Sequence, residues 1–176
     1  TSPTKAGTGT LTRSGATPYP GSTSVSAGTL QIDGSSTGTN GLNTTALLNI
    51  GNVTGGGTVI IGSGAGILNF GGDVFSNSAQ VSFNGNTVAS FLTMNGGTVN
   101  IAGAGGTAAA LNISVSTAAA GTVTVNGGIL NVGGRILMGA NTAGDNGTLT
   151  IKGGSVNVGY NDGLSVAGDE SGMVRM

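Results

Sequence analysis

Apolar and polar residues alternate along much of the chain. Leu149 and Ile151 alternate with Thr148 and Thr150, Val156 and Val158 with Ser155 and Asn157, and Leu164 and Val166 flank Ser165. A period of two belongs to a strand with one buried face. The alternating runs are short, and Gly-containing corners such as Lys152-Gly153-Gly154 separate them. Each run therefore predicts a brief strand followed by a bend. The tract 140–146 reads as a surface loop. Gly is spread too evenly for helices, and no useful window carries a helical period.

The strands recur in longer units. Gly121-Thr-Val-Thr-Val-Asn-Gly-Gly-Ile-Leu-Asn-Val-Gly133 aligns with Gly147-Thr-Leu-Thr-Ile-Lys-Gly-Gly-Ser-Val-Asn-Val-Gly159, an offset of 26 residues. A third copy opens at Gly172, 25 residues later, and is cut off at Met176. A shorter signature, apolar–Asn/Gln–apolar, occurs at Leu30-Gln31-Ile32, Leu48-Asn49-Ile50, Leu68-Asn69-Phe70, Val99-Asn100-Ile101, Leu130-Asn131-Val132 and Val156-Asn157-Val158. Its intervals run from 18 to 31 residues, and Leu111-Asn112-Ile113 is an extra copy off that rhythm. Intervals of this size match one turn of a solenoid with variable loops.

About three short strands per unit predict an all-β chain wound as a parallel β-helix (β-solenoid), with apolar ladders inside and Thr, Ser and Asn outside. Residues 1–176 read as a single repeat domain and a fragment of a longer repetitive protein. The competing arrangement is an antiparallel sandwich of hairpins closed by Gly-Gly turns.

Composition sharpens this picture. Gly occurs 37 times in 176 residues, charged residues make up 6%, and Cys and His are absent. Low charge with high Gly also suits disorder, but an apolar share of 37% at fixed places supplies a core. A net charge of −1 with only five basic residues leaves no stripe for nucleic acid. No apolar run approaches the length of a membrane helix, so no membrane insertion by this segment is expected.

The first unit carries a family resemblance. Gly9-Thr-Leu-Thr-Arg-Ser-Gly-Ala-Thr-Pro-Tyr-Pro-Gly-Ser-Thr-Ser-Val-Ser-Ala-Gly-Thr-Leu-Gln31 resembles the autotransporter-associated β-strand repeat. Gly15, Tyr19, Gly21, Val25, Ala27, Gly28 and Leu30 fall at the pattern's spacing, over about residues 7–34. Arg13, Pro18 and Pro20 depart from it. The later units resemble G-T-x-T-x-x-G-G-x-x-N-V-G repeats of large exported proteins of environmental bacteria. Together the resemblances imply a right-handed parallel β-helix of passenger type, secreted or displayed at a bacterial cell surface, whose repeats give length and rigidity.

Material for chemistry is scarce. The acids are Asp33, Asp73, Asp145, Asp162, Asp169 and Glu170. Most neighbour Gly or Asn, where Asp bonds to local backbone. A calcium edge formed by Asp145, Asp162, Asp169 and Glu170 is the functional reading, and solvated turn residues are the expected one. Gly62-Ser63-Gly64-Ala65-Gly66 and Gly103-Ala-Gly-Gly106 are dense in Gly but lack the Lys-Ser/Thr of a phosphate loop. Without His, and with only Lys5 and Lys152 as lysines, a Ser-based enzyme has little material for a base. Sequons at Asn43, Asn52, Asn112 and Asn146 are expected by chance in so Asn- and Thr-rich a chain.

Thr10/Thr12, Thr122/Thr124 and Thr148/Thr150 suggest an outward hydroxyl ladder of the kind that binds ice, with Ser or Asn expected to interrupt it in most strands. Sugar clefts need aromatic faces. Only Tyr19 and Tyr160 are available for that, while Phe70, Phe75, Phe83 and Phe91 are expected to fill the core or plug coil ends. Residues 74–92 break the rhythm and read as a longer coil with a lateral insertion, the alternative being a small site.

The expectation is a structural extracellular rod or fibre component that self-associates, end to end or laterally, through exposed strand edges. It is expected not to be an enzyme, with no catalytic, cofactor or metal residues. The alternative is a surface adhesin binding glycan or host surface through loops 102–110 or 140–146. A degenerate polysaccharide lyase or hydrolase is a third reading, and it requires Asp145, Asp162 and Asp169 to cluster.

Overall fold

The computed structural model describes residues 3–15, 23–33, 47–51, 56–70, 80–83, 89–101, 109–113, 120–138, 146–159, 164–166 and 171–175. These form strands and no helix. The strands are β1 (Thr4–Lys5), β2 (Thr10–Arg13), β3 (Thr23–Val25), β4 (Gly28–Ile32), β5 (Leu47–Ile50) and β6 (Gly57–Ile61). They continue as β7 (Ile67–Phe70), β8 (Gln80–Phe83), β9 (Ser90–Met94), β10 (Thr98–Ile101), β11 (Ala109–Ile113) and β12 (Ala120–Val125). The last are β13 (Ile129–Val132), β14 (Arg135–Met138), β15 (Asn146–Ile151), β16 (Ser155–Val158), β17 (Leu164–Val166) and β18 (Ser171–Arg175).

Three sheets result. Sheet 1 has the order β1-β3-β5-β8-β11-β14-β17, sheet 2 β18-β15-β12-β9-β6-β4-β2, and sheet 3 β16-β13-β10-β7. Every pairing among the described strands is parallel. That excludes the antiparallel sandwich. Parallel neighbours need a crossover between them. Here the crossover is the rest of the unit: from β6 onward the chain visits sheets 2, 3 and 1 in a fixed cycle. Three strands per unit therefore holds from β6. Before it, the described strands visit only sheets 1 and 2.

The 26-residue repeat sets the register where it is strongest. Gly121 to Val125 lie beside Gly147 to Ile151, and Ile129 to Val132 beside Ser155 to Val158. The third copy continues the series, with Gly147 beside Gly172. The apolar–Asn/Gln–apolar signature needs correction, because it does not mark a single position in the cycle. Leu68, Val99, Leu130 and Val156 share one file of sheet 3. Leu30-Gln31-Ile32 belongs to sheet 2, and both Leu48-Asn49-Ile50 and Leu111-Asn112-Ile113 belong to sheet 1. The supposed extra copy is regular: Asn49 and Asn112 both lie beside Ser82.

Alternation sends one residue in two inward. Leu30, Val59, Leu92, Val123 and Leu149 form one buried file of sheet 2, and Leu68, Val99 and Leu130 one of sheet 3. Leu48, Leu111 and Ile136 are buried on sheet 1. Burial of such a side chain contributes roughly 1.5–3 kcal/mol.

The corners are stacked as tightly as the strands. Gly97, Gly128 and Gly154 have φ of 74°, 88° and 79° and turn β9, β12 and β15 into the strands that follow. A Cβ on Gly128 would lie 2.4 Å from the Gly97 carbonyl oxygen, and one on Gly154 2.3 Å from that of Gly128. Backbone bonding runs on through the bends, as where Asn126 N donates to Met94 O (2.8 Å) and Lys152 N to Val125 O (2.8 Å).

Candidate functional site

Among the described residues the chemistry lies on outward faces, not in a cleft. On sheet 2, from β2 to β15, the outward residues form two files. Thr10, Thr29, Thr58, Phe91, Thr122 and Thr148 make one, and Thr12, Gln31, Ile60, Thr93, Thr124 and Thr150 the other. None of these twelve is buried or charged. The Thr ladder is thus more continuous than expected, since Ser and Asn take none of its positions. Its interruptions are Phe91, Gln31 and Ile60.

Phe91 corrects the expectation that the phenylalanines fill the core. It is 42% exposed. Leu92 and Met94 hold the inward positions of β9, so parity turns Phe91 outward despite its size. Phe70 and Phe83 end β7 and β8, while Phe75, Tyr19 and Tyr160 lie outside the described residues. Strands β8 and β9 take ordinary places in their sheets, so residues 80–83 and 89–92 belong to the repeat; the rest of 74–92 lies outside the described residues.

Sheet 3 presents Asn100, Asn131 and Asn157 in one outward file. Asn131 Nδ2 donates to Asn100 Oδ1 (2.7 Å) and Asn157 Nδ2 to Asn131 Oδ1 (2.8 Å). The other file is Ile67, Thr98, Ile129 and Ser155. Ile67 is 43% and Ile129 42% exposed. Sequence reasoning missed this pair of exposed isoleucines. The recurrence of Asn95-Gly96-Gly97 as Asn126-Gly127-Gly128 sets β10 beside β13, but the bend before Ile67 is Gly64-Ala65-Gly66, so the repeat did not mark the pair.

The candidate acids do not assemble into a described site. Asp33 accepts a bond from the Gln31 side chain through its carboxylate, and its own N–H donates to Arg13 O (2.8 Å) in the neighbouring pass. Asp73, Asp145, Asp162, Asp169 and Glu170 lie outside the described residues, as do Asn43, Asn52 and most of both candidate loops. No group of three or more His, Cys, Asp or Glu that fits a metal occurs among the described residues. In the Gly62–Gly66 bend, Gly62 N donates to Ile32 O (2.9 Å) and Ala65 N to Gly62 O (3.1 Å), so these donors serve the fold and not a phosphate. Asn112 is only 8% exposed, which closes that sequon. No helix among the described residues is long and apolar enough to cross a membrane.

The β1–β4 end is built differently. Lys5 Nζ donates to the carbonyls of Gly7 (2.8 Å), Ala6 (3.0 Å) and Ala27 (3.2 Å), tying successive passes of chain together. Gly28, with φ of 70°, sits so close that a Cβ would lie 2.3 Å from Gly7 O and 2.8 Å from Lys5 Nζ. Residues 4–32 match the passenger-associated-transport-repeat family. This is the autotransporter-associated repeat that residues 7–34 resemble. Comparisons with curated proteins and with solved structures give no match. The matched residues thus run from β1 to β4, and the Lys5–Gly28 contact lies wholly within them. A hollow of about 50 Å³ opens beside it, lined by Lys5, Leu11, Arg13 and Leu30 among others. It is far smaller than the roughly 300 Å³ at which ligand pockets begin.

Proposed function

We propose that the chain is a right-handed parallel β-helix, exported as part of a passenger-type protein, whose role is structural. It supplies a stiff, nearly uncharged extracellular or cell-surface shaft that self-associates into a fibre or matrix. The observation that carries this reading is the cycle of sheets 2, 3 and 1 with parallel register from one pass to the next. Parallel crossovers within a sheet are right-handed in about 98% of cases. About seven passes at about 4.8 Å make a shaft roughly 35 Å long. The passenger-associated-transport match supports an exported setting. The role is not enzymatic on this reading, which is supported by the described outward faces of sheets 2 and 3 from β2 to β16, where Thr, Asn and Ile stand and catalysis needs positioned acids and bases.

Negative-stain microscopy at high concentration tests it. Filaments or mats support the reading, and dispersed particles at high concentration count against it.

Exposed Phe91 favours a second reading, a glycan-binding adhesin. An aromatic face bordered by Thr58, Thr93 and Thr122 offers stacking and hydroxyl contacts to a sugar. Glycan-array binding lost in Phe91→Thr supports this reading, and unchanged binding removes it.

A further inference from the structure

The outward face of sheet 3 carries a pattern that is complementary to itself. Read from β7 to β16, one file runs Ile67, Thr98, Ile129, Ser155, large and small in alternation. Reversed, the same file runs small, large, small, large. A second copy laid face to face and upside down thus sets every isoleucine against a small residue. Ile67 meets Ser155, and Ile129 meets Thr98. The neighbouring file then sets Asn100 against Asn131 of the other copy, amide against amide. We propose that two copies of this chain pair laterally through sheet 3, antiparallel, about a two-fold axis running along the strands between β10 and β13.

The proposal rests on the fibre reading above and names its lateral contact. Three observations bear on it. No charged residue lies on β7, β10, β13 or β16, so nothing on the strands opposes desolvation. The two isoleucines are more than two-fifths exposed on an otherwise polar face. Asn131 and Asn157 form an amide ladder, which with low charge and interdigitating side chains suits a dry contact between facing sheets. Parallel packing, with both copies upright, would instead set the isoleucine file against the asparagine file. That buries amides against methyl groups.

The contact is small. Four strands at about 4.8 Å, each about 13 Å long, give roughly 250 Å² per partner. Stable pairs bury about 800 Å² each. One contact is therefore weak, and bundling gains strength from many contacts along a fibre.

The chain has no Cys, so cysteine cross-linking reads the geometry directly. Ile67→Cys and Ser155→Cys proteins, mixed at high concentration with a short bismaleimide, are expected to give several-fold more dimer than either alone. Thr98→Cys alone, whose two copies stand one strand spacing apart, about 4.8 Å along the stack, is expected to cross-link with itself. In the antiparallel pair two copies of Ile67 stand three strand spacings apart, about 14 Å along the stack, beyond a short reagent. Adding Ile129→Lys to both partners of the first mixture is expected to cut its yield about tenfold, since an unpaired charge becomes buried. Equal yield from Ile67→Cys alone, or a yield unmoved by Ile129→Lys in protein with unchanged circular dichroism, overturns the proposal. Fibres without the mixed product overturn this contact and leave the fibre reading standing; the mixed product without fibres does the reverse.

Discussion

Asn131 donates its side-chain amide to Asn100, 2.7 Å away and 31 residues earlier, and accepts the amide of Asn157 in turn. A side chain in the middle of such a file holds two bonds that the unfolded chain replaces only with water.

Asn131→Ala is therefore expected to lower stability by about 1–3 kcal/mol, at roughly 0.5–1.5 kcal/mol per bond. Asn126→Ala removes the single exposed bond from Asn126 to Asn95 (2.8 Å) and is expected to cost about 0.5 kcal/mol. Equilibrium urea unfolding of the two variants checks this. Equal losses would contradict the account given of the file.

Gly128→Ala tests the corners. Its φ of 88° disfavours an L side chain, and the new Cβ would press on Gly97 O at 2.4 Å. A loss of about 3 kcal/mol or more is expected, combining backbone strain with overpacking. Gly9 has open space around its Cβ position, so Gly9→Ala is expected to stay within about 0.5 kcal/mol of the parent. Thermal melts of both proteins separate a stacked corner from a loose one.

Alternation and the 26-residue offset made β12, β13, β15 and β16 and their registers legible, because two near-identical copies must occupy equivalent places. The assignment of each strand to a sheet was not legible in the same way. Period two says which residues point inward, and nothing about which of three sheets they belong to. Leu48-Asn49-Ile50 and Leu130-Asn131-Val132 look alike, yet lie in sheets 1 and 3, since variable connecting lengths decide where each strand falls. Phe91 shows the same limit from the other side. Its bulk suggested the core, but its place between Ser90 and Leu92 turns it outward. On the candidate surfaces, Thr-x-Thr was visible in the sequence, while the Ile67–Ile129 alternation emerged only once β7, β10 and β13 were aligned.

Adjacent lysines test that parity. Val123 is fully buried, while Thr124 next to it faces outward and is half-buried. Thr124→Lys is expected to cost less than about 1 kcal/mol, because the long stem keeps its charge in water. Val123→Lys would place an ammonium inside the stack and is expected to prevent folding. Far-UV circular dichroism and gel filtration distinguish the two, and a folded Val123→Lys protein would sink the inward assignment.

Leu92 and Leu11 occupy the same inward file of sheet 2 but differ in cover. Leu92 is 2% exposed between β6 and β12, whereas Leu11, on the edge strand β2, is 48% exposed. Truncating Leu92 to Ala removes packed methyl groups and leaves a cavity walled by neighbours above and below. A loss of about 3 kcal/mol is expected, within the 2–5 kcal/mol seen for buried leucines. Leu11→Ala removes atoms that already meet solvent, and a loss of about 1 kcal/mol or less is expected. If a second copy or a further pass of chain covers the β2 edge in the assembled fibre, Leu11 gains the environment of Leu92. The two variants would then converge in assembled material while staying apart in dilute protein. Measuring both melts at low and at high protein concentration makes the comparison, and a gap that does not narrow in assembled material places the β2 edge outside the fibre contacts.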